Sequence, residues 1–290
     1  MKVLNFGSLN LDYVYSVEHM VMAGETLDSE SLTTFCGGKG LNQSIALAKA
    51  GTQVFHAGLV GEEGDILLEA CEAAGVNSEY VRKVSGKSGH TIIQVDKKGQ
   101  NCILLYGGAN RGITKEYVDE VLSHFAEGDY IVLQNEINLL DYIIEQAFNR
   151  KFKIILNPSP YNANLDSCDF SKISMFLLNE IEGEQITGEK DADKILEVLA
   201  EQFPKAQVVL TLGSEGSVYQ EAGKKYRQEI YKVQAVDTTA AGDTFTGYFI
   251  ASRIRGLSIE ESLNIAAKAA AIAVSRRGAT LSIPLLSEVL

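Results

Sequence analysis

Residues 236–249 read VDTTAAGDTFTGYF, and the short run Ala240–Asp243 within them decides how the rest is understood. Small residues lead straight into an aspartate and a helix-like stretch. A helix can be capped by Ser, Thr, Asn or Asp with no special surroundings. Here Ala240, Ala241 and Gly242 leave the backbone bare ahead of Asp243, as if something must come close. A helix N-terminus offers free N–H groups and the positive end of the dipole, which favour an anion. A carboxylate at the mouth of such a site cannot be the anion's partner, because like charges repel. It suits a base that takes a proton from a hydroxyl while the amides hold departing phosphoryl charge. On the residues alone, Asp243 reads equally well as a plain cap.

A second glycine-flanked helix start, GGKGLNQ at 37–43, repeats the device and adds a cation, Lys39. It is not a P-loop: Leu41 follows GGKG where the magnesium-binding hydroxyl would stand, and no GxGxxG opens the first strand–helix turn. Taken singly, GGKG could be a tight turn and Lys39 a solvated side chain.

With 290 residues the chain lies near the upper limit for one hydrophobic core, so one large domain with a small appended one is expected. Its 46% hydrophobic and 22% charged residues are those of a globular protein. The net charge of −12 argues against a nucleic-acid groove, and it requires any anionic substrate to be held by local features. No apolar run approaches the roughly 18 residues of a membrane span. Cys36, Cys71, Cys102 and Cys168 are scattered, with no CxxC pair, and the opening MKVLNFGS has no secretory signal. Reduced thiols and a cytoplasmic protein are the expectation.

Strand and helix patterns alternate along most of the chain. VLNFG, VFHAGLVG, YIVLQ, KIILN, MFLLN and VVLTL read as strands. GLNQSIALAKAG, ILLEACEAAG, YVDEVLSHF, LLDYIIEQAF and KILEVLAEQF read as helices, with Gly51 and Gly75 as stops. Two helices close the chain, the second opened by a Ser258–Glu261 capping box. This predicts an α/β fold with a doubly wound, mostly parallel sheet. Residues 89–106 and the GSVYQ–KYRQEI segment break the pattern as hairpins. The extended insertions 10–36 and 88–107 are expected to form a small β-lid, leaving 1–9, 37–87 and 108–290 as the α/β domain.

FGSLNLD, FCGGKGLNQSIALAKAG, LLNEIEGE, TLGSEG and DTTAAGDTFTGYF, in that order, resemble the ribokinase-like (PfkB) family of carbohydrate kinases. The resemblance runs from about Lys2 to Pro284. NLD, GGKGLNQ, GGAN and the tail AAAIAVSRRGATLSIP are most similar to its ribose-phosphorylating members. It implies ATP-dependent phosphorylation of a sugar primary hydroxyl, O5 of D-ribose first, with a nucleoside, fructose or another sugar as alternatives. A non-catalytic sugar sensor is the distant alternative. It makes Asp243 the base and the Ala240, Ala241 and Gly242 amides the anion hole.

Asn10, Asp12, Gly38, Lys39, Asn42 and Glu136 become sugar ligands. Asn10 and Asp12, two apart in an extended segment, share a face, as a sugar diol would require; an Asx-type turn is the plainer reading. Glu136 could equally be an ordinary loop carboxylate. Asn179 and Glu182 would serve the nucleotide phosphates and Mg²⁺, the metal through water. Thr211, Gly213, Ser214 and Gly216 would contact phosphate and ribose of the nucleotide, or form a mere turn. Asp237, Thr239, Ala273, Arg276, Gly278 and Ser282 resemble a K⁺ site, with a salt bridge from Asp237 to an arginine as the rival. An exposed face of the lid sheet could pair with another lid, which leads to the expectation of a homodimer.

Overall fold

The computed structural model describes residues 1–290. In chain order its first half runs β1 (Val3–Phe6), β2 (Asn10–Ser16), β3 (Ser31–Gly37), α1 (Lys39–Lys49), β4 (Val54–Val60), α2 (Asp65–Ala74), β5 (Asn77–Lys83), β6 (Gly89–Val95), β7 (Asn101–Tyr106), α3 (Lys115–Ser123), β8 (Tyr130–Gln134) and α4 (Leu140–Asn149). The second half runs β9 (Lys153–Asn157), β10 (Met175–Asn179), α5 (Glu180–Thr187), α6 (Ala192–Gln202), β11 (Gln207–Thr211), β12 (Ser217–Glu221), β13 (Lys224–Gln228), α7 (Ala241–Ile254), α8 (Ile259–Val274) and α9 (Leu286–Val289). No helix is long and apolar enough to cross a membrane.

Nine strands form one sheet in the order β13-β12-β11-β10-β9-β8-β1-β4-β5, parallel except for the β12–β13 hairpin at one edge. Both faces are covered, as a parallel sheet requires. Leu4, Ile131, Ile154, Phe176 and Val208 point into a core of 34 buried residues with α3, α4 and α6. Their neighbours Val3, Val132, Ile155, Leu177 and Val209 point into a core of 30 with α1, α7 and α8.

The strand period of two then fixes what happens at the carboxyl ends. Two residues past each of those neighbours stand Asn5, Gln134, Asn157, Asn179 and Thr211. These polar residues therefore line up on the face that carries α1 and α7. Ligands of open α/β sheets bind at such strand ends.

A second sheet of four strands, ordered β3-β2-β6-β7, stands apart from the first. β2 pairs antiparallel with β3 and parallel with β6, and β7 closes the edge against β6. Leu11 is buried at its root, while all of β7 is exposed. Three elements were not foreseen, β5, α5 and α9. β5 reads NSEYVRK, with too few apolar residues to signal a strand, because as an edge strand it is half solvated. α5 reads EIEGEQIT, with only two apolar residues and Gly183 inside it, too little to show a helical stripe. α9 is a single turn.

Candidate active site

α1 and α7 touch where their side chains vanish. Gly247, one turn after Asp243, lies so near α1 that a Cβ there would be 2.4 Å from Ala46 Cβ. This close approach brings Asp243 to two amides of α1. Asn42 Nδ2 donates to Asp243 Oδ2 and Gln43 Nε2 donates to Oδ1, each at 2.9 Å. Asp243 is buried and within the first turn of α7, so the plain-cap reading is set aside: Ala240 is the cap residue, and no side chain caps this helix.

Ala240 holds a left-handed conformation, φ 59°, which costs a non-glycine residue energy. The turn aims the start of α7 into a cleft of about 240 Å³. The N–H groups of Gly242 and Asp243 have no acceptor in the protein. A Cβ on Gly242 would meet no atom within 4 Å, so the space over these amides is open.

Of the residues singled out from sequence, Lys39, Asn179, Glu182, Thr211, Ala240, Ala241, Gly242 and Asp243 line this cleft together. Lys39 is half-buried. Burial opposes its charge, but the carboxylates of Asp243, Glu136 and Glu182 outweigh that and hold its ammonium above the usual lysine value. It is not a solvated surface lysine.

Beside the cleft, at the root of the second sheet, stand the residues predicted to meet a sugar. Asn10 and Asp12 are in β2 and not in an Asx turn. Asn10 Oδ1 accepts from Asn110 Nδ2 at 2.7 Å, and Asp12 Oδ1 accepts from Thr91 Oγ1 at 2.6 Å. Burial, helped by the Glu136 charge and opposed by the Thr91 hydrogen bond, pushes the Asp12 carboxyl up to about 6. Glu136 is no idle loop carboxylate: Ser8 Oγ and, at 2.9 Å, the Lys39 N–H both donate to its Oε2. Gly38, φ 92°, follows β3 and caps α1; a Cβ there would lie 3.1 Å from Asn10 N. Asn42 Oδ1 is buried with no partner.

On the far side, Asn179 and Glu182 form a reciprocal cap on α5: Glu182 N donates to Asn179 Oδ1 at 3.0 Å and Asn179 N to Glu182 Oε2 at 2.9 Å. Gly213, Ser214 and Gly216 follow β11 in a tight turn and do not line the cleft; a Cβ on Gly216 would sit 2.0 Å from the Gln228 carbonyl. Asp237 makes no arginine salt bridge. Its Oδ1 accepts from Thr239 N at 2.9 Å and its Oδ2 from Gly278 N at 3.0 Å, and Val236 and Asp237 both donate to the Val274 carbonyl. Burial opposes ionisation of Asp237, yet these hydrogen bonds and the Arg277 charge carry its carboxyl below the usual range. The Asp237 segment, the end of α8 and the Gly278 loop are thus drawn together. Arg276 pairs with Glu288, and Ser282 Oγ donates to the Ala279 carbonyl at 2.8 Å.

Sequence reasoning passed over Gln43, Gln134, Asn157, Thr91 and Ser8. A signal existed for two of them, since Gln134 and Asn157 end buried strands as Asn179 does.

A family model described as pfkB family carbohydrate kinase matches residues 1–286. The chain belongs to this family and is a carbohydrate kinase. It is 34% identical to a ribokinase of Staphylococcus aureus (strain COL) over 99% of this chain and 98% of that protein. It is 33% identical to a ribokinase of Haemophilus influenzae over 98% of this chain and 95% of that one. The structure of Arabidopsis thaliana ribokinase complexed with ribose and ATP superposes with a TM-score of 0.87 at 30% identity, covering 99% of this chain and 97% of the other.

Proposed function

We propose that the protein phosphorylates D-ribose at O5 with ATP, and that Asp243 is the base. The observation that carries this reading is a buried carboxylate, fixed by Asn42 and Gln43, beside two unpartnered amides that open into a cleft. The sugar O–H proton passes to Asp243 as the new O–P bond forms; the bond to the β-phosphate oxygen breaks and ADP leaves. The Gly242 and Asp243 amides hold the transferring charge, with Lys39 alongside, whereas the Ala241 N–H expected to join them donates to the Thr238 carbonyl at 3.3 Å.

Asn10, Asp12, Gly38, Lys39, Asn42 and Glu136 hold the sugar. Asn42 supports this directly, since its buried Oδ1 awaits a donor such as a hydroxyl. Asn179, Thr211 and Gly242, which line the cleft, take the nucleotide, and Gly213, Ser214 and Gly216 would meet only a part of it that extends beyond the cleft past the end of β11. The sheet built from 10–36 and 88–107 acts as a lid on the domain formed by 1–9, 37–87 and 108–290, excluding water during transfer.

Magnesium bound with the nucleotide would neutralise phosphate charge. No three His, Cys, Asp or Glu side chains converge to cage a metal, and Glu182 already accepts through both oxygens, so it fits a metal held through water. A K⁺ ion would hold the Asp237, Thr239, Ala273, Arg276, Gly278 and Ser282 segments in place behind α7. Asp237, held beside the Val274 end of α8 and the Gly278 loop, supplies the carboxylate oxygens that such an ion would need.

A homodimer through the lids is supported by β7, an edge strand exposing Ile103 (56%) and Leu104 (67%). Four free thiols accord with a cytoplasmic setting.

The test is an ATP-coupled assay over pentoses, hexoses and nucleosides, with and without K⁺, repeated on Asp243→Asn. Ribose should give the highest kcat/KM, and the variant should lose about 10²–10⁴-fold in kcat with sugar binding retained. Turnover confined to nucleosides or hexoses would replace ribose, and an unimpaired variant would remove Asp243 as base.

A further inference from the structure

Buried between α1 and the ends of β1, β8 and β9, a chain of side-chain amides terminates on Asp243. Its orientation is fixed from the backbone. Asn5 Nδ2 donates to the Gly40 carbonyl at 2.7 Å and to Ser44 Oγ at 2.8 Å, so Asn5 Oδ1 is left to accept. Gln134 Nε2 donates to that oxygen at 3.0 Å and, with its other hydrogen, to Gln43 Oε1 at 2.7 Å. With its oxygen occupied, Gln43 turns Nε2 outward, donating to Asp243 Oδ1 at 2.9 Å and to Asn157 Oδ1 at 3.3 Å. Asn157 is itself oriented by donating to the Leu177 carbonyl at 2.7 Å.

The other end of the chain is equally determined. His56 Nε2 faces the Gly7 carbonyl at 3.3 Å, which can only accept, so Nε2 carries the proton and Nδ1 takes the Ser44 hydroxyl at 2.7 Å. Burial pushes His56 down to about 4, which keeps it neutral at physiological pH. Asn5, Gln43, Ser44, His56 and Gln134 are all fully buried.

We propose that Gln43 is a positioning residue for the Asp243 carboxylate, with Gln134 and Asn5 setting which end of its amide meets the acid. A flipped Gln43 would set its oxygen against the carboxylate and its N–H groups against Gln134 Nε2, losing both hydrogen bonds at once. Asn42 and Gln43, adjacent on α1, deliver one N–H to each Asp243 oxygen and so fix the plane of the carboxylate. The two residues differ in one respect. Asn42 keeps a free oxygen for a ligand, whereas Gln43 spends its oxygen and both N–H groups inside the protein. Gln43 therefore acts on the acid and not on substrate.

This inference rests on Asp243 being the base, and its test separates the two. Gln43→Met keeps the length and removes the donor; Gln134→Met leaves Gln43 in place but unoriented. In Gln43→Met, kcat should fall about 10- to 100-fold, the loss of one hydrogen bond to a charged group, with the sugar KM within about twofold. Gln134→Met should give about 3- to 10-fold in the same direction. Amide donors favour the ionised carboxylate, so the acidic limb of the pH–kcat profile should move to higher pH in Gln43→Met. Lys39 is the charged group facing Asp243, with Glu136 and Glu182 behind it, and both variants leave these unchanged.

A parent-like kcat and acidic limb in a folded Gln43→Met overturns the proposal. The second measurement needs no catalysis: exchange of the Gln43 side-chain amide protons with solvent, followed by NMR. Slow exchange in the parent that becomes fast in Gln134→Met supports the orienting chain even where Asp243→Asn retains turnover and the base reading fails. Equal exchange in both overturns it.

Discussion

Gly247 of α7 and Ala46 of α1 meet with no side chain's width between them: a methyl on Gly247 would fall 2.4 Å from Ala46 Cβ and 2.9 Å from the Ala46 carbonyl carbon. The contact sets the distance at which Asn42 and Gln43 reach Asp243, so a packing detail governs the geometry of the acid.

Gly247→Ala should therefore cost stability and activity together. Overpacking of this kind costs about 1–3 kcal/mol, partly offset by roughly 1 kcal/mol of helix propensity. Urea unfolding should show the lower midpoint, and kcat should fall as α1 withdraws. Adding Ala46→Gly should restore only part of both, because the clash with α1 backbone remains.

Gly37→Ala separates binding from chemistry. Its Cβ would lie 1.9 Å from Asp12 Oδ2, the mobile end of a side chain, so Asp12 must swing aside. Folding stability should change by less than about 1 kcal/mol while the sugar KM rises and kcat holds. Steady-state kinetics over a range of sugar concentration reads the split.

Asp12 also gives the protein a pH dependence of known sign. Its carboxyl is raised from 3.8 to about 6 in the folded chain, so unfolding releases a proton between those values. The folded state loses this advantage as pH rises through the window, on the order of 2–3 kcal/mol in all. Asp12→Asn should match the parent near pH 3.5 and exceed it in stability by about that amount at pH 7.5. Denaturant curves at the two values check it.

Glu182→Ala removes half of the α5 cap. A lost cap costs about 1 kcal/mol, which a lower Tm should register. If Glu182 also holds magnesium through water, the Mg²⁺ concentration for half-maximal turnover should rise in the same variant, and titration of the cation at saturating ATP measures it.

The layering was legible because strand and helix periods differ and because Gly51, Gly75 and the Ser258–Glu261 pair punctuate them. β5 was not, since an edge strand half in water needs no apolar run. Asp243 could be picked out because bare small residues precede it at a helix start; Lys39, Asn179 and Glu182 came with the family resemblance, since a lysine in a glycine turn or an acid after a strand is ordinary by itself. Gln43 and Gln134 could not, because an uncharged amide in a helix or at a strand end carries no local mark. Their part comes from partners 91 and 200 positions away. The Asp243 cap reading failed for the same reason: propensity describes a helix terminus, while Asn42 and Gln43 claim the side chain from another helix.

Asn42 and Asp243 are 201 positions apart in the chain. During synthesis α1, β1 and the lid strands have left the ribosome long before the residue that completes their site exists. If Asp243 is the base, an N-terminal fragment lacking α7 should turn over no substrate, however well its sheet has formed. Recovery of activity after dilution from denaturant will thus trail the return of helical signal, and it times the docking of α7 on α1.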